Sequence, residues 1–137
     1  GSEIDGRTIA YDLSLEGMLS QKKDFIGKRS LNRKAFTENN REKIVGVVPI
    51  DKKTSIPEGS YLVENAKASF PNPKLGHVSA SCWSVEYDNP FSLAIIKDGK
   101  NKKGEKLFAV SPLKNKIIPV EIVSQHYVDP EGKRVRS

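Results

Sequence analysis

Phe91-Ser92-Leu93-Ala94-Ile95-Ile96-Lys97-Asp98-Gly99-Lys100-Asn101-Lys102-Lys103-Gly104-Glu105-Lys106-Leu107-Phe108-Ala109-Val110 is the stretch whose reading decides the fold. Phe91 to Lys97 is an apolar run of strand length that stops at the turn pair Asp98-Gly99, and Leu107 to Val110 is a second, shorter run. Asp98 to Lys106, polar and lysine-rich, has the composition of a hairpin tip, so the spacing predicts two strands joined as one long hairpin. Runs such as Leu93-Ala94-Ile95-Ile96 fall far short of the ~18 apolar residues of a membrane span.

Outward from this segment, the same alternation of short β-type runs and turn residues continues in both directions. Lys43 to Val48 is β-branched and ends at Pro49. Tyr61 to Glu64 is short, and His77 to Trp83 alternates small and large side chains. Residues 66–75 hold two prolines and read as a connection. Ile117 to Val123 is strongly β-branched, and Pro119 within it points to an edge or a bulge, since proline has no N–H for a ladder. Six short strands imply a mainly β fold, a small antiparallel barrel or sandwich, with Val45, Val47, Leu93, Ile95, Ile118, Val120 and Ile122 as its expected core.

Upstream of about residue 40 the pattern changes. Asp12 and Asp24 are candidate helix caps, the first leading into Leu13, Leu15 and Met18. Ile26, Leu31 and Ala35 fit one helical face and predict a helix over about 27–36, kept short by Gly27. The chain therefore reads as a helical lead-in followed by a β-rich domain.

The 137 residues suffice for one domain with a core that needs no staple, and a single cysteine excludes an internal disulfide framework. Gly1-Ser2 looks like a cloning scar, and no signal peptide opens the sequence. The net charge of +6 permits nucleic-acid binding. However, the basic residues fall in four separate places (Lys22-Lys23, Lys28 to Arg41, Lys97 to Lys106, Lys133 to Arg136) with no recognition motif, so solvated turns explain them better.

Chemistry-bearing residues are sparse. Cys82 has two conceivable basic partners, His77 and His126. In an unbroken strand residues 77 and 82 face opposite sides, so Cys82 reads as a buried structural thiol beside Trp83. Two histidines and one cysteine do not make a metal site, and neither Gly-x-Gly-x-x-Gly nor a Walker A loop is present. Glu58, Glu64, Glu86 and Asp88 sit in or beside turns, where solvated acids are the default. The aromatics, Phe70 and Trp83 among them, could stack a base or a pterin, but most lie at strand or helix positions where core packing accounts for them.

Several motifs together carry more. Asp24-Phe25-Ile26-Gly27-Lys28-Arg29-Ser30-Leu31 resembles the DFIGR-x-x-L signature of the aminomethyltransferase family, the glycine cleavage T-protein and its relatives. Glu58-Gly59-Ser60-Tyr61-Leu62-Val63 resembles that family's P-x-x-G turn, and Gly76 to Ser84 its G-x-V-T-S-x-x-x-S-P strand, with Val85 in place of the final proline. Phe91 to Ile96 and Gly104-Glu105 resemble the next strand and the entry to the one after. Within the family, the lysine run at Lys22-Lys23 and the tail Tyr127-Val128-Asp129-Pro130-Glu131-Gly132-Lys133-Arg134 resemble the α subunits of heterotetrameric sarcosine oxidase.

The resemblance implies a C-terminal segment of a larger subunit: residues 3–40 the end of a folate-binding core with a short helix, 41–128 an antiparallel barrel of about six strands, and 129–137 a tail. It implies a cytoplasmic enzyme that demethylates sarcosine oxidatively, giving glycine, methylenetetrahydrofolate and hydrogen peroxide. Tetrahydrofolate, FAD, FMN and NAD would serve the whole complex, with none bound by this segment alone. The partners would be the rest of the α subunit and the other subunits, with no nucleic acid and no membrane. No catalytic or metal-binding residue is assigned to this chain, and no cofactor-binding residue is identified; Gly17-Met18 lack the aromatic that many relatives place near folate. The competing expectations are the C-terminal part of a T-protein, which would meet a hydrolipoyl protein without a flavin, and a basic barrel that binds single-stranded nucleic acid.

Overall fold

The computed structural model describes residues 3–38, 40–67 and 73–136. Six strands, β1 (Glu42–Pro49), β2 (Tyr61–Val63), β3 (Gly76–Ser84), β4 (Asn89–Lys97), β5 (Lys106–Ser111) and β6 (Lys116–Val123), lie close to the stretches expected from the sequence. They form a closed antiparallel barrel in the order β1-β4-β3-β2-β5-β6, with β6 returning to pair with β1. The chain is thus mainly β with a short lead-in, as its strand pattern predicts.

The core follows from period-two alternation. Val45 and Val47 on β1, Ile118, Val120 and Ile122 on β6, and Leu107 and Ala109 on β5 point inward and meet Ile56, Leu62 and Val78. Each fully buried Val or Ile contributes about 1.5–3 kcal/mol relative to exposure. On β4 the expected phase is wrong. Ala94 and Ile96 fill the core with buried Ser92 alongside, so Leu93 and Ile95 face outward. Ile95 is nevertheless buried. An apolar run does not reveal which of its alternate residues faces in, and small Ser92 and Ala94 disguised the inner face. Inside the barrel, the Ser92 and Ser81 hydroxyls pair at 2.9 Å, and Ser81 Oγ donates to the Ile56 carbonyl at 2.7 Å.

The predicted hairpin between β4 and β5 does not form. β4 pairs with β1 and β3, and β5 with β2 and β6. Asp98 adopts a left-handed conformation and donates its N–H to the Arg41 carbonyl at 3.0 Å. A 3₁₀ turn at Gly99–Asn101 then leads the chain across the barrel end to Gly104, whose N–H meets the Ile122 carbonyl at 2.8 Å. The tight hairpins are β3–β4 and β5–β6, turned at Asp88 and Asn115, both at positive φ.

Pro119 marks neither a bulge nor a free edge. β1 ends at Pro49 opposite Val120, so Pro119 stands one residue beyond that ladder and its missing N–H leaves no carbonyl unpaired there. Its own carbonyl accepts the Ile50 N–H at 3.0 Å.

The lead-in is less helical than expected. Its regular elements are 3₁₀ turns at Glu16–Met18 and Ser30–Asn32 and one turn of α-helix, α1 (Lys34–Thr37), with Arg33 extended between the last two. Neither aspartate caps a helix. Asp24 accepts only the N–H of Phe25, and the Glu16–Met18 turn has no side-chain cap. A single turn costs more to nucleate than its hydrogen bonds return, so tertiary contacts decide this region.

Gly46 sits at the closure, opposite Leu93 on one side and Val123 on the other. A β-carbon there would lie 2.4 Å from the Ser124 carbonyl and 2.7 Å from the Phe91 ring. Gly46→Ala is expected to destabilise the barrel by about 1–3 kcal/mol. Thermal melts showing no loss would contradict this account of the closure.

Candidate functional site at the seam between lead-in and barrel

Asp12 is buried between the lead-in and the start of β1. Its carboxylate accepts from Ile9 N at 3.1 Å, Arg41 Nε at 3.0 Å, Lys43 Nζ at 3.1 Å and, closest, Arg41 Nη2. Arg41 goes on to the carbonyls of Ala35 at 3.1 Å and Arg7 at 2.9 Å, and its guanidinium lies 5.3 Å from the Phe36 ring centre. The Asp12 carbonyl accepts Ile44 N–H at 2.7 Å. One acid and two bases thus hold three lead-in stretches against β1. Burial pushes the Asp12 carboxyl up, but hydrogen bonds from Arg41, Ile9 N–H and Lys43 outweigh it and hold it below its ordinary value.

The apolar side chains of the lead-in do not all follow. Ile9 and Leu13 are half-buried, whereas Leu15, Met18 and Ile26 are exposed by 39, 80 and 104%. Ile26 was expected on a buried helical face with Leu31 and Ala35; instead Ile26 and Ala35 are exposed and Leu31 is half-buried.

A cleft of about 300 Å³ beside the seam is lined by Asp5, Arg7, Asp12, Arg41, His77 and Ile95, among others. Two of its carboxylates are engaged: Asp5 pairs with Arg7, which holds the Asp5 carboxyl down at about 2, and Asp12 is saturated as described; Glu3 and Glu42 also line it. Among the described residues no group of three or more His, Cys, Asp or Glu is placed to hold a metal ion.

Cys82 is exposed, not buried beside Trp83 as expected, and Trp83 itself is half in solvent. The parity argument separating it from His77 fails because β3 carries a bulge between Val78 and Ala80. His77 pairs with Ile95 and Cys82 with Phe91, so both lie on the outer face, but they line different clefts. Cys82 instead shares a surface groove with His126. Two acids expected to be solvated have partners: Glu58 accepts Ser81 N–H, and Glu86 pairs with Arg134. Phe70 lies outside the described residues.

The tail motif has a physical account. The Tyr127 ring stacks on Phe91 at 4.6 Å and meets Tyr87 edge-on at 4.8 Å, and its hydroxyl accepts from Asn89 Nδ2 at 2.9 Å. Asp129 accepts the N–H groups of Lys133 and Arg134, Gly132 takes a positive φ, and Arg134 reaches Glu86. These contacts fold the tail back along the outer face of β3 and β4.

Asp12→Asn should loosen the lead-in by about 2–3 kcal/mol, because Arg41 and Lys43 would be left without a counter-charge. Hydrogen exchange should quicken over residues 8–20 while strand amides stay protected. A carboxyl with a lowered folded pKa contributes stability above its unfolded pKa, near 4, that is lost as pH falls through the folded value. In the unsubstituted chain, lead-in protection should therefore drop on acidification below about pH 4, and Asp12→Asn should flatten that response. Lead-in protection factors, taken relative to the intrinsic exchange rate at each pH, that are equal at pH 7 and pH 3 would refute the assignment.

No family profile matches the chain. The sarcosine oxidase α subunit of Rhizobium meliloti strain 1021 is 31% identical over 135 residues, covering 98% of this chain and 14% of that protein. The α subunit of Corynebacterium sp. strain U-96 is 32% identical over 136 residues, with the same coverage. This chain therefore spans about one seventh, 14%, of the relatives it matches. Among solved structures, the glycine cleavage system aminomethyltransferase T of Bartonella henselae superposes with a TM-score of 0.68 at 20% identity, covering 93% of this chain and 34% of that one. The chain is thus similar in sequence, over almost its whole length, to sarcosine oxidase α subunits, and shares its fold with an aminomethyltransferase of the glycine cleavage system, as its motifs imply.

Proposed function

We propose that this chain is the C-terminal segment of the α subunit of a sarcosine oxidase, and that it braces the tetrahydrofolate site from outside. The observation that carries the reading is the sequence similarity along 98% of the chain to α subunits bearing that name. The parent enzyme would oxidise sarcosine at a flavin and pass the one-carbon unit to tetrahydrofolate, yielding glycine, methylenetetrahydrofolate and hydrogen peroxide. NAD and both flavins would be held elsewhere in the complex, in the cytoplasm. This chain's share would be mechanical: residues 3–40 complete the edge of the folate-binding core, and the barrel of residues 41–128 backs them. Exposed Leu15, Met18 and Ile26 would pack against the preceding part of the subunit. In this scheme no catalytic step is assigned to residues of this chain.

A second reading, the corresponding part of a glycine cleavage T-protein, is favoured by the fold match to the Bartonella henselae enzyme. It would bring a hydrolipoyl protein as partner and no flavin.

The test is expression of the complete gene product with its neighbouring subunits. Peroxide formation from sarcosine is expected from the assembly and none from the 137-residue chain alone. Peroxide from the isolated chain, or an assembly that processes only a lipoyl-bound aminomethyl group, would overturn the proposal. Calorimetry should also find tetrahydrofolate bound by the isolated chain more weakly than about 1 μM, the affinity worth roughly −8 kcal/mol, because half a cavity leaves the pterin largely in water.

A further inference from the structure

The outer face of β2, β5 and β6 carries a feature that the folate-bracing role does not use. Antiparallel register sets Tyr61, Val110 and Ile117 side by side across three strands. Val63, Phe108 and Pro119 form the adjoining row, where Val63 is already buried, so the open part of the face is the Tyr61 row and Pro119. All six stand on the side opposite the core residues Leu62, Ala109 and Ile118. Ile117 is 55% exposed and Tyr61 43%, and Leu113 in the β5–β6 turn projects fully into solvent. β-Branched and aromatic residues on an outward sheet face gain nothing from water there, so the pattern is that of an interface centre.

The rim is basic. Lys106 continues the β5 face beyond Phe108, Lys114 lies in the β5–β6 turn beside Leu113, and the Lys74 ammonium lies 4.9 Å from the Tyr61 ring centre. Glu121, opposite Lys106, brings one carboxylate to this face. A second copy of this chain would set the same lysine rim against itself, with +6 on each partner. An anionic polymer would find its phosphates against an apolar centre.

We propose that this face docks another protein chain whose contact surface is apolar at the centre and ringed by Asp and Glu. Complementary rims would orient the encounter and make association salt-dependent, while the apolar centre supplies adhesion.

The test uses the protein purified at low ionic strength from cells that make it naturally, with whatever accompanies it. Lysine reductive methylation is read by mass spectrometry before and after dissociation in 1 M NaCl. Lys74, Lys106 and Lys114 are expected to label at least tenfold more slowly before dissociation, with Lys52 and Lys53 as controls of unchanged rate. Ile117→Asp combined with Leu113→Asp should abolish that protection while leaving the melting temperature within about 2 °C. Equal labelling in both states overturns the proposal, whether or not other chains co-purify. So does protection that persists in the double variant, that nuclease removes, or that the chain shows alone at high concentration with a doubled mass. Peroxide formation from sarcosine is scored separately, so loss of the enzymatic reading and loss of this docking face give different results.

Discussion

β1 has a hydrogen-bonded neighbour on each side, and most of the structure is arranged around that constraint. β4 occupies one edge and β6 the other, so the sheet has no free edge and the chain cannot slip register without breaking two ladders. Gly46 is the point at which this closure is tightest, because the Ser124 carbonyl and the Phe91 ring fill the space a β-carbon would need. The two segments outside the barrel attach near the same strand. Arg41 and Lys43, at its start, grip the lead-in through Asp12, while beyond β6 the tail turns at Ser124 and lays Tyr127 on Phe91 of neighbouring β4.

How much of this could be read from the sequence depended on the range of the interaction. The six strands were legible because β-branched runs and turn residues are local signals. What failed was whatever needed a neighbour. Asp98-Gly99 reads as a hairpin turn, but the backbone of Arg41, far away in sequence, captures Asp98 and sends the chain to a different strand. The phase of β4 was hidden because Ser92 and Ala94 face inward while larger Leu93 faces out. Counting residues from His77 to Cys82 gave the wrong face because one bulge changes parity, and no residue type announces a bulge.

The seam was illegible for the same reason. Asp12 looks like a helix cap because short acids usually are caps, yet its partners lie 29 and 31 residues downstream. No pattern in the lead-in points to Arg41. The usable signal lay in β1 itself, where Arg41-Glu42-Lys43 precedes an apolar strand: bases at the mouth of a barrel need a nearby acid or they stay in water. The tail fared better. Its motif carried the resemblance, and each of its conspicuous residues has a local job: a ring to stack, an acid to cap a turn, a glycine at positive φ, an arginine to reach Glu86.

The chemistry of attachment also separates the two appendages. The tail is held by aromatic stacking, so its apolar side chain is spent on the barrel. The lead-in is held mainly by polar atoms, with Asp12, Arg41, Lys43 and four backbone carbonyls forming the join, and it turns Leu15, Met18 and Ile26 away from the barrel. A segment that folded for its own stability would do the reverse, burying its apolar side chains and leaving lysines and acids outside. Polar fixation with outward apolar display makes a directional join: hydrogen bonds set the angle of the lead-in on the barrel, while its hydrophobic side stays free for a second body. This arrangement supports the proposal that residues 3–40 offer their apolar side to a second body.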